Sequence, residues 1–166
     1  MANILLMGSS DIVGIPQDVL NWLYTYNEQG HKFIVGDSKG CDRHFHKALS
    51  SIGALNNSVI YCMDAPTSNV YELPVKSFRT EFNQEEQKVI VKAEDNSIEP
   101  YEITDIKDAK DIPLSREWYE FRDRQMIKDC NAAIAIISNT ELPKRLDHMI
   151  TLLNISNKPC YIVRIA

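Results

Sequence analysis

The sequence predicts an α/β domain of the Rossmann-like, three-layer class, with about five mostly parallel strands and an inserted β-hairpin. Short apolar runs alternate with longer segments whose apolar residues recur at helical spacing, which is the pattern of repeated strand–helix units. The run 132–137 contains no polar residue, as expected of a central parallel strand that is covered on both faces.

The first part of the chain reads as strand, helix, strand, helix, strand. Residues 3–7 predict a buried first strand, and the helix that follows begins near Pro16 and ends at Gly30. Residues 33–35 predict the second strand, which a second amphipathic helix follows. A third apolar run at 59–62 predicts another strand, so this part predicts parallel pairing.

The rhythm of strands and helices breaks over 66–112 and resumes afterwards. Within this segment 87–93 and 98–103 alternate apolar and polar residues, which predicts a hairpin that either extends the sheet edge or projects as an arm. Beyond it, Ser115 predicts the N-cap of a third helix, and a last strand–helix–strand run completes the chain. We interpret 1–166 as a single domain that carries 66–112 as an insertion.

Composition excludes several classes of protein. The chain has 166 residues and a formal net charge of −5 at pH 7, which disfavours a nucleic-acid partner. No apolar run approaches the ~20 residues of a membrane span, and the N-terminus lacks the basic flank of a signal peptide, so we expect a cytoplasmic protein with no membrane partner. The cysteines and histidines lack the spacing of a metal site, and no dinucleotide or P-loop motif occurs. We therefore predict no metal and no cofactor.

The loop from Gly36 to Arg43 is the strongest candidate for a binding site. It follows a predicted strand and opens a helix, so its backbone amides lie at a helix N-terminus, where the dipole favours an anion. Gly36 and Gly40 permit a tight turn and the close approach of a ligand, while Lys39 and Arg43 add positive charge. The alternative is an ordinary strand–helix turn in which Asp42 caps the helix.

Two other segments are expected on the same rim of a parallel sheet. The turn at 8–11 ends the first strand, and ligands of such sheets bind at the carboxyl ends of strands. The run 122–124 carries two arginines, which can clamp a phosphate or carboxylate. Its alternative is a solvated helix face with pairs such as Glu120 and Arg124.

Together, Gly8-Ser9-Ser10, the loop 36–43 and the run 122–126 resemble the SLOG superfamily of Rossmann-like domains. That family includes the "lonely guy" phosphoribohydrolases and the DNA-processing protein DprA. The similarity is to its small members with a G-S-R turn, a G-G-A-R-G-A-D-R loop and an R-N-x-x-M helix. It covers roughly 1–65 and 113–166.

This resemblance implies a small nucleotide-type ligand at the carboxyl rim, that is, a nucleotide, a nucleoside phosphate or a nucleotide-derived signal. A homodimer is an expectation that rests on the family alone. The residues implied to bind the ligand or its phosphate are Gly8, Ser9, Ser10, Gly36, Asp37, Ser38, Lys39, Gly40, Asp42, Arg43, Arg122 and Ser138.

The sequence also departs from the family. Asp37 replaces a glycine and would place a negative charge beside a bound phosphate, which costs affinity unless that charge is paired. The segment 138–147 replaces a glycine-rich turn, so the catalytic glutamate of the glycosidases has no counterpart in register. Arg122, Glu141 and Asp147 remain as catalytic candidates.

Three functions therefore stay open from the sequence. The first is a binding module for a nucleotide-type ligand. The second is an enzyme that cleaves the N-glycosidic bond of nucleoside phosphates, in which a carboxylate stabilises an oxocarbenium-like transition state while arginines hold the phosphate. The third is a protein-interaction module, with the insertion as the interface and the rim vestigial.

Overall fold

A computed structural model of the protein describes residues 1–104, 112, 115–138 and 142–165, and within them eight strands form one sheet flanked by four α-helices. The helices are α1 (Gln17–Glu28), α2 (Cys41–Ser51), α3 (Arg116–Asp129) and α4 (Lys144–Ile155). The strands are β1 (Asn3–Gly8), β2 (Lys32–Val35), β3 (Ser58–Met63), β4 (Val75–Asn83), β5 (Lys88–Ala93), β6 (Tyr101–Ile103), β7 (Ala132–Ser138) and β8 (Cys160–Ile165).

The strand order is β6-β5-β4-β3-β2-β1-β7-β8. The six neighbouring strands β4, β3, β2, β1, β7 and β8 run parallel to one another. β5 pairs antiparallel with β4 and with β6. The chain builds outward from β1 in one direction and then crosses to the other side of β1 for β7 and β8. The order reverses between β1 and β7, and such a point opens a crevice outside the carboxyl ends of the strands. The Rossmann-like α/β class is confirmed.

Apolar cores on both faces of the sheet give the three layers. Successive residues of a strand point to opposite faces, so Leu5 and Leu6 of β1 enter different cores. One core lies under α3 and α4, which bury Phe121, Met126, Ile127, Leu146, Met149 and Leu153. The other lies under α1 and α2, which bury Val19, Leu23, Phe45 and Leu49. Each buried side chain of this size stabilises the fold by roughly 1.5–3 kcal/mol.

Within the described residues the parallel part of the sheet has six strands, one more than the five or so predicted besides the hairpin, because the insertion also contributes β4. β4 was not predicted, and it pairs in parallel with β3, Ile60 lying opposite Val75. The hairpin predicted at 87–93 and 98–103 is present as β5 and β6, and it extends the sheet edge rather than projecting as an arm. Phe78 and Val91 of this segment are fully buried in the α3 core.

The sequence offered N-cap residues for α3 and α2, and the structure confirms only the one for α3. Ser115 is confirmed as the N-cap of α3, since its Oγ accepts a hydrogen bond from the backbone N–H of Trp118 at 3.0 Å. The alternative in which Asp42 caps α2 is wrong, because Gly40 holds the N-cap position with φ +87°. Within the described residues, no helix combines the length and the apolar character that crossing a membrane requires.

Candidate ligand site at the carboxyl rim

A first cavity of about 210 Å³ lies at the point where the strand order reverses. The loop after β1, the loop after β2 and the first turn of α4 surround it. The structure therefore brings two of the predicted segments together at the carboxyl rim. The predicted residues that line it are Gly8, Ser9, Ser10, Ser38, Lys39 and Asp42.

A second cavity of about 430 Å³ adjoins the first. Ser38, Lys39 and Arg145 line both, so these three residues form the boundary between them. On its far side the second cavity is lined by Trp118 and Tyr119 of α3. The predicted residues that line it are Asp37, Ser38, Lys39, Arg43 and Arg122.

Glycines let the loops of the rim pack directly on one another. A Cβ atom at Gly40 would lie 2.2 Å from the backbone oxygen of Ser10, and one at Gly8 would lie 2.4 Å from the Sγ atom of Cys41. The positive φ of Gly40 is a second reason why a side chain is disfavoured there. The turn after β1 therefore packs directly against the N-terminal end of α2.

Arg122 holds the rim together from α3. Its Nη1 donates to Asp37 Oδ1 at 2.5 Å, and its Nη2 donates to Asp123 Oδ1 at 3.1 Å and to Ser38 Oγ at 3.4 Å. Arg145 of α4 also pairs with Asp123, through Nε at 2.7 Å and Nη2 at 2.8 Å. Two arginines and two aspartates therefore form one charge-balanced network that joins the loop after β2 to α3 and α4.

In this network Arg122 pairs with the carboxylate of Asp37, whose negative charge would otherwise repel a bound phosphate. This carboxylate also accepts a hydrogen bond from the backbone N–H of Thr67 at 3.0 Å. Burial works against the charged form of Asp123, but the hydrogen bonds and charge of Arg145, together with Arg122, lower its pKa. Burial likewise opposes the charge of Arg145, and Asp123 raises the pKa of that guanidinium nevertheless.

The solvated-face alternative for 122–124 is wrong for its first two members. Arg122 and Asp123 are 8% and 2% exposed, so both are buried inside the rim. Arg124 alone follows the alternative, with a partly exposed Nη1 at 4.0 Å from Glu120 Oε2. A buried arginine whose nitrogens contact carboxylates orders the loop that it contacts.

Asp42 is the third buried aspartate of the rim. Its Oδ2 accepts a hydrogen bond from the backbone N–H of Ser38 at 3.0 Å, which fixes the turn before α2. Burial raises the pKa of Asp42, although Arg122 and Arg145 act in the opposite direction. The carboxyl is part of the wall of the first cavity.

Arg43 and Lys39 are the cations of the loop whose charge no carboxylate balances in the described part of the chain. The Nε atom of Arg43 is buried and has no hydrogen-bond partner there. Lys39 is exposed at the boundary of the two cavities. A buried guanidinium N–H without a partner is rare in native proteins and calls for an acceptor.

The predicted residues Gly36, Gly40, Ser138 and Asp147 line neither cavity. Gly36 is buried, and its carbonyl oxygen accepts a hydrogen bond from Nε2 of His46 at 2.7 Å. Ser138 donates its backbone N–H to Ser9 Oγ at 3.4 Å, which ties β7 to the turn after β1. Asp147 is exposed on α4 and lines neither cavity, and Glu141 lies outside the described residues.

The four cysteines are free thiols. Burial raises the pKa of Cys41, the cysteine of the loop, so this thiol is held in its unreactive, protonated form. Among the described residues no group of three or more His, Cys, Asp or Glu side chains is arranged to hold a metal ion.

The polar and aromatic residues that line the cavities but were not among the predicted site residues include Arg145, Trp118 and Tyr119. Arg145 lies in the first turn of α4, and this position at the start of a predicted helix was the available signal. Trp118 and Tyr119 precede Arg122 by four and three positions, so helical spacing places them near it. Asp123 pairs with both Arg122 and Arg145, but nothing in the sequence except its position next to an arginine indicates this role.

No protein-family model and no curated protein matches this chain.

Proposed function

We propose that the protein binds a small nucleotide-type ligand across the two cavities of the carboxyl rim. The phosphate contacts Lys39 and Arg43 and the amides at the start of α2. The base occupies the second cavity beside Trp118 and Tyr119. The sequence resemblance implies the same class of ligand, and the residues that line the two cavities support these positions for its phosphate and its base.

The unpartnered Nε of Arg43 is the observation that carries the proposal. The other rim arginines, Arg122 and Arg145, already contact carboxylates. An anion between Lys39 and Arg43 would satisfy the buried N–H and balance two charges at once. Hydrogen bonds between a guanidinium and an anion are worth about 1.5–3 kcal/mol each, which is enough to select a phosphate over a neutral group.

The aromatic wall of the second cavity favours a nucleotide over a bare phosphate. Trp118 donates from Nε1 to Thr80 Oγ1 at 2.6 Å, so its indole ring is held in place while it lines the cavity with Met63 and Ala65. Fixed aromatic and apolar walls with a few convergent charges are typical of small-ligand sites. Stacking of a base on such a ring is worth about 1–3 kcal/mol.

Binding is favoured over the two alternatives by the placement of the other residues. An N-glycosidase needs a free carboxylate at the reacting carbon. Of the two predicted carboxylates, Asp147 lines neither cavity and Glu141 lies outside the described residues, while the carboxylate of Asp37 in the second cavity is paired with Arg122. An interaction module needs the insertion to stand apart, whereas its β4 and β5 are built into the sheet and the core. We therefore rank binding first.

A thermal-shift screen tests the proposal with nucleoside mono- and diphosphates, ADP-ribose, its cyclic forms and NAD. A ligand at about 100 times its Kd adds roughly 2.7 kcal/mol of stability, equivalent to about 5 to 10 °C in Tm for a domain of this size. We expect at least one shift of this kind. Substitution of Arg43 by Ala should weaken the hit about ten- to a hundredfold, because it removes a charged hydrogen bond.

Arg79→Ala is the matched control, since Arg79 is an exposed arginine of β4 that pairs only with Glu94 among the described residues. This variant should retain the shift. A screen without any shift, or a hit that Arg43→Ala leaves unchanged, would contradict the proposal. Chromatography of the incubated hit for released free base separates the binding module from the glycosidase.

A further inference from the structure

Asp42 differs from the other buried aspartates of the rim in its partners. Asp37 and Asp123 each have an arginine nitrogen within hydrogen-bond distance. Asp42 is only 7% exposed, yet the bond from Ser38 N–H is its single hydrogen bond within the described chain. Burying an ionised carboxylate without an ion-pair partner is costly, and such groups usually become neutral instead.

The carboxyl of Asp42 is built into the wall of the site. A Cβ atom at Gly36 would lie 2.6 Å from Asp42 Oδ2, so a glycine at position 36 is what leaves room for the carboxyl. The backbone N–H of Ser38 donates to Oδ2, and Asp42 lines the first cavity together with Ser9 and Ser10. One oxygen is therefore used by the fold, and the other remains for whatever enters the cavity.

The charged groups around Asp42 come from three helices and one loop. Arg122 of α3, Arg145 of α4 and His46 of α2 favour its ionised form, but burial outweighs them and raises its pKa. The two arginines are already paired with other carboxylates, which reduces their effect on Asp42. Lys39 of the loop lines the same cavity as Asp42 and adds a positive charge there.

We propose that Asp42 serves the site in its neutral, protonated form and donates a hydrogen bond to an oxygen of the ligand in the first cavity. This inference rests on the proposed function and adds a requirement to it: the group bound beside Asp42 is a hydrogen-bond acceptor, such as a phosphate or ribose oxygen. An ionised Asp42 would repel the same phosphate. Ligand binding is thereby coupled to the retention of one proton.

The pH dependence of AMP binding to the full chain tests this coupling. If only the protonated form binds, the apparent Kd of the wild type rises about tenfold for each pH unit above the pKa of Asp42. Asp42→Asn keeps an acceptor for Ser38 and a donor for the ligand, so its Kd should lack this tenfold rise per pH unit. Because the AMP phosphate titrates in the experiments with both proteins, the difference between the two profiles isolates Asp42. Asp18→Asn, an exposed change on α1, is the control.

A second measurement needs no ligand. The NMR shift of the Asp42 carboxyl carbon, assigned by its loss in Asp42→Asn, should titrate with a midpoint above the ordinary aspartate pKa of about 3.9. A midpoint at or below that ordinary value, parallel profiles for the two proteins, or a loss of AMP binding in Asp42→Asn at every pH would overturn the inference alone. Failure of AMP and of every other nucleotide to bind either protein would overturn the proposed function together with it.

Discussion

At the scale of single residues, three buried aspartates of the rim occupy different electrostatic surroundings. Asp37 is paired with one arginine, Asp123 with two and Asp42 with none among the described residues. The lowered pKa of Asp123 and the raised pKa of Asp42 follow from this difference. The surroundings therefore favour the charged form of the side chain at Asp123 and disfavour it at Asp42.

Replacing Asp123 by Asn should cost about 3–5 kcal/mol of unfolding free energy at neutral pH, because it leaves Arg122 and Arg145 without their shared partner. A carboxyl with a lowered folded pKa stabilises the fold above its unfolded pKa and loses that contribution as the pH falls. The deficit should therefore shrink toward about pH 3. Urea unfolding over this range measures it, with Asp18→Asn as the control. A deficit that stays constant down to about pH 3 would contradict the ion-pair account.

Asp42→Asn should show the opposite dependence on pH. A carboxyl whose folded pKa is raised costs stability as the pH rises from its unfolded pKa through its folded one. The variant lacks this cost, so its stability relative to wild type should rise with pH by up to about 1.4 kcal/mol per unit. The same urea titrations measure this, and a relative stability that falls with rising pH would show that Asp42 is ionised in the folded protein.

At the scale of elements, the start of α2 is shaped by contact with a neighbouring loop. Gly40 is the N-cap of α2, and its missing side chain lets the backbone of Ser10 approach closely. Gly53 also has a positive φ, +74°, but no neighbouring atom lies where its Cβ would be. Substitutions at the two glycines therefore distinguish the free-energy cost of a side chain at positive φ from the additional cost of a clash with the neighbouring loop.

Gly53→Ala should cost about 1–2 kcal/mol, the price of a left-handed conformation for an L residue. Gly40→Ala should cost distinctly more and should also abolish nucleotide binding, since the turn at 8–11 has to move. Urea unfolding and the thermal-shift assay together measure both effects. Equal stabilities for the two variants would mean that the contact between the loop and α2 does not form.

How much could be predicted also differs between elements. The loop 36–43 and its cations could be predicted because the residues that mark this loop are adjacent in the sequence. The network of arginines and aspartates could not be predicted, because Asp37 and Arg122 lie 85 positions apart and only the folded sheet brings them together. β4 was missed because Pro74 precedes it and charged residues recur along it, so its apolar residues do not form a run.

At the scale of the whole molecule, the insertion and the parallel core form one structure. Phe78 of β4 is fully buried and contacts the rings of Tyr61 and Phe121 at centroid distances of 5.7 and 5.5 Å. These rings come from β3 and α3, which lie on either side of the insertion in the sequence. The segment 66–112 therefore contributes to the main core as well as to the edge of the sheet.

Phe78→Ala should accordingly destabilise the entire domain by about 3–5 kcal/mol in a single cooperative transition. Val70→Ala is the control within the same insertion, since Val70 is 78% exposed. Urea unfolding followed by circular dichroism and by tryptophan fluorescence measures the transition. Two separate transitions, or no loss of stability in Phe78→Ala, would mean that the insertion folds independently.

The most direct test of the central claim, that the carboxyl rim binds a nucleotide, is to map backbone amide shifts by NMR while AMP or ADP-ribose is added. The predicted result is a continuous set of perturbed amides at 8–10, 36–43 and the first turns of α3 and α4. Little change is predicted on β5, β6 and β8, which are remote from the two cavities. Perturbations confined to the insertion, or none with either nucleotide, would contradict the account.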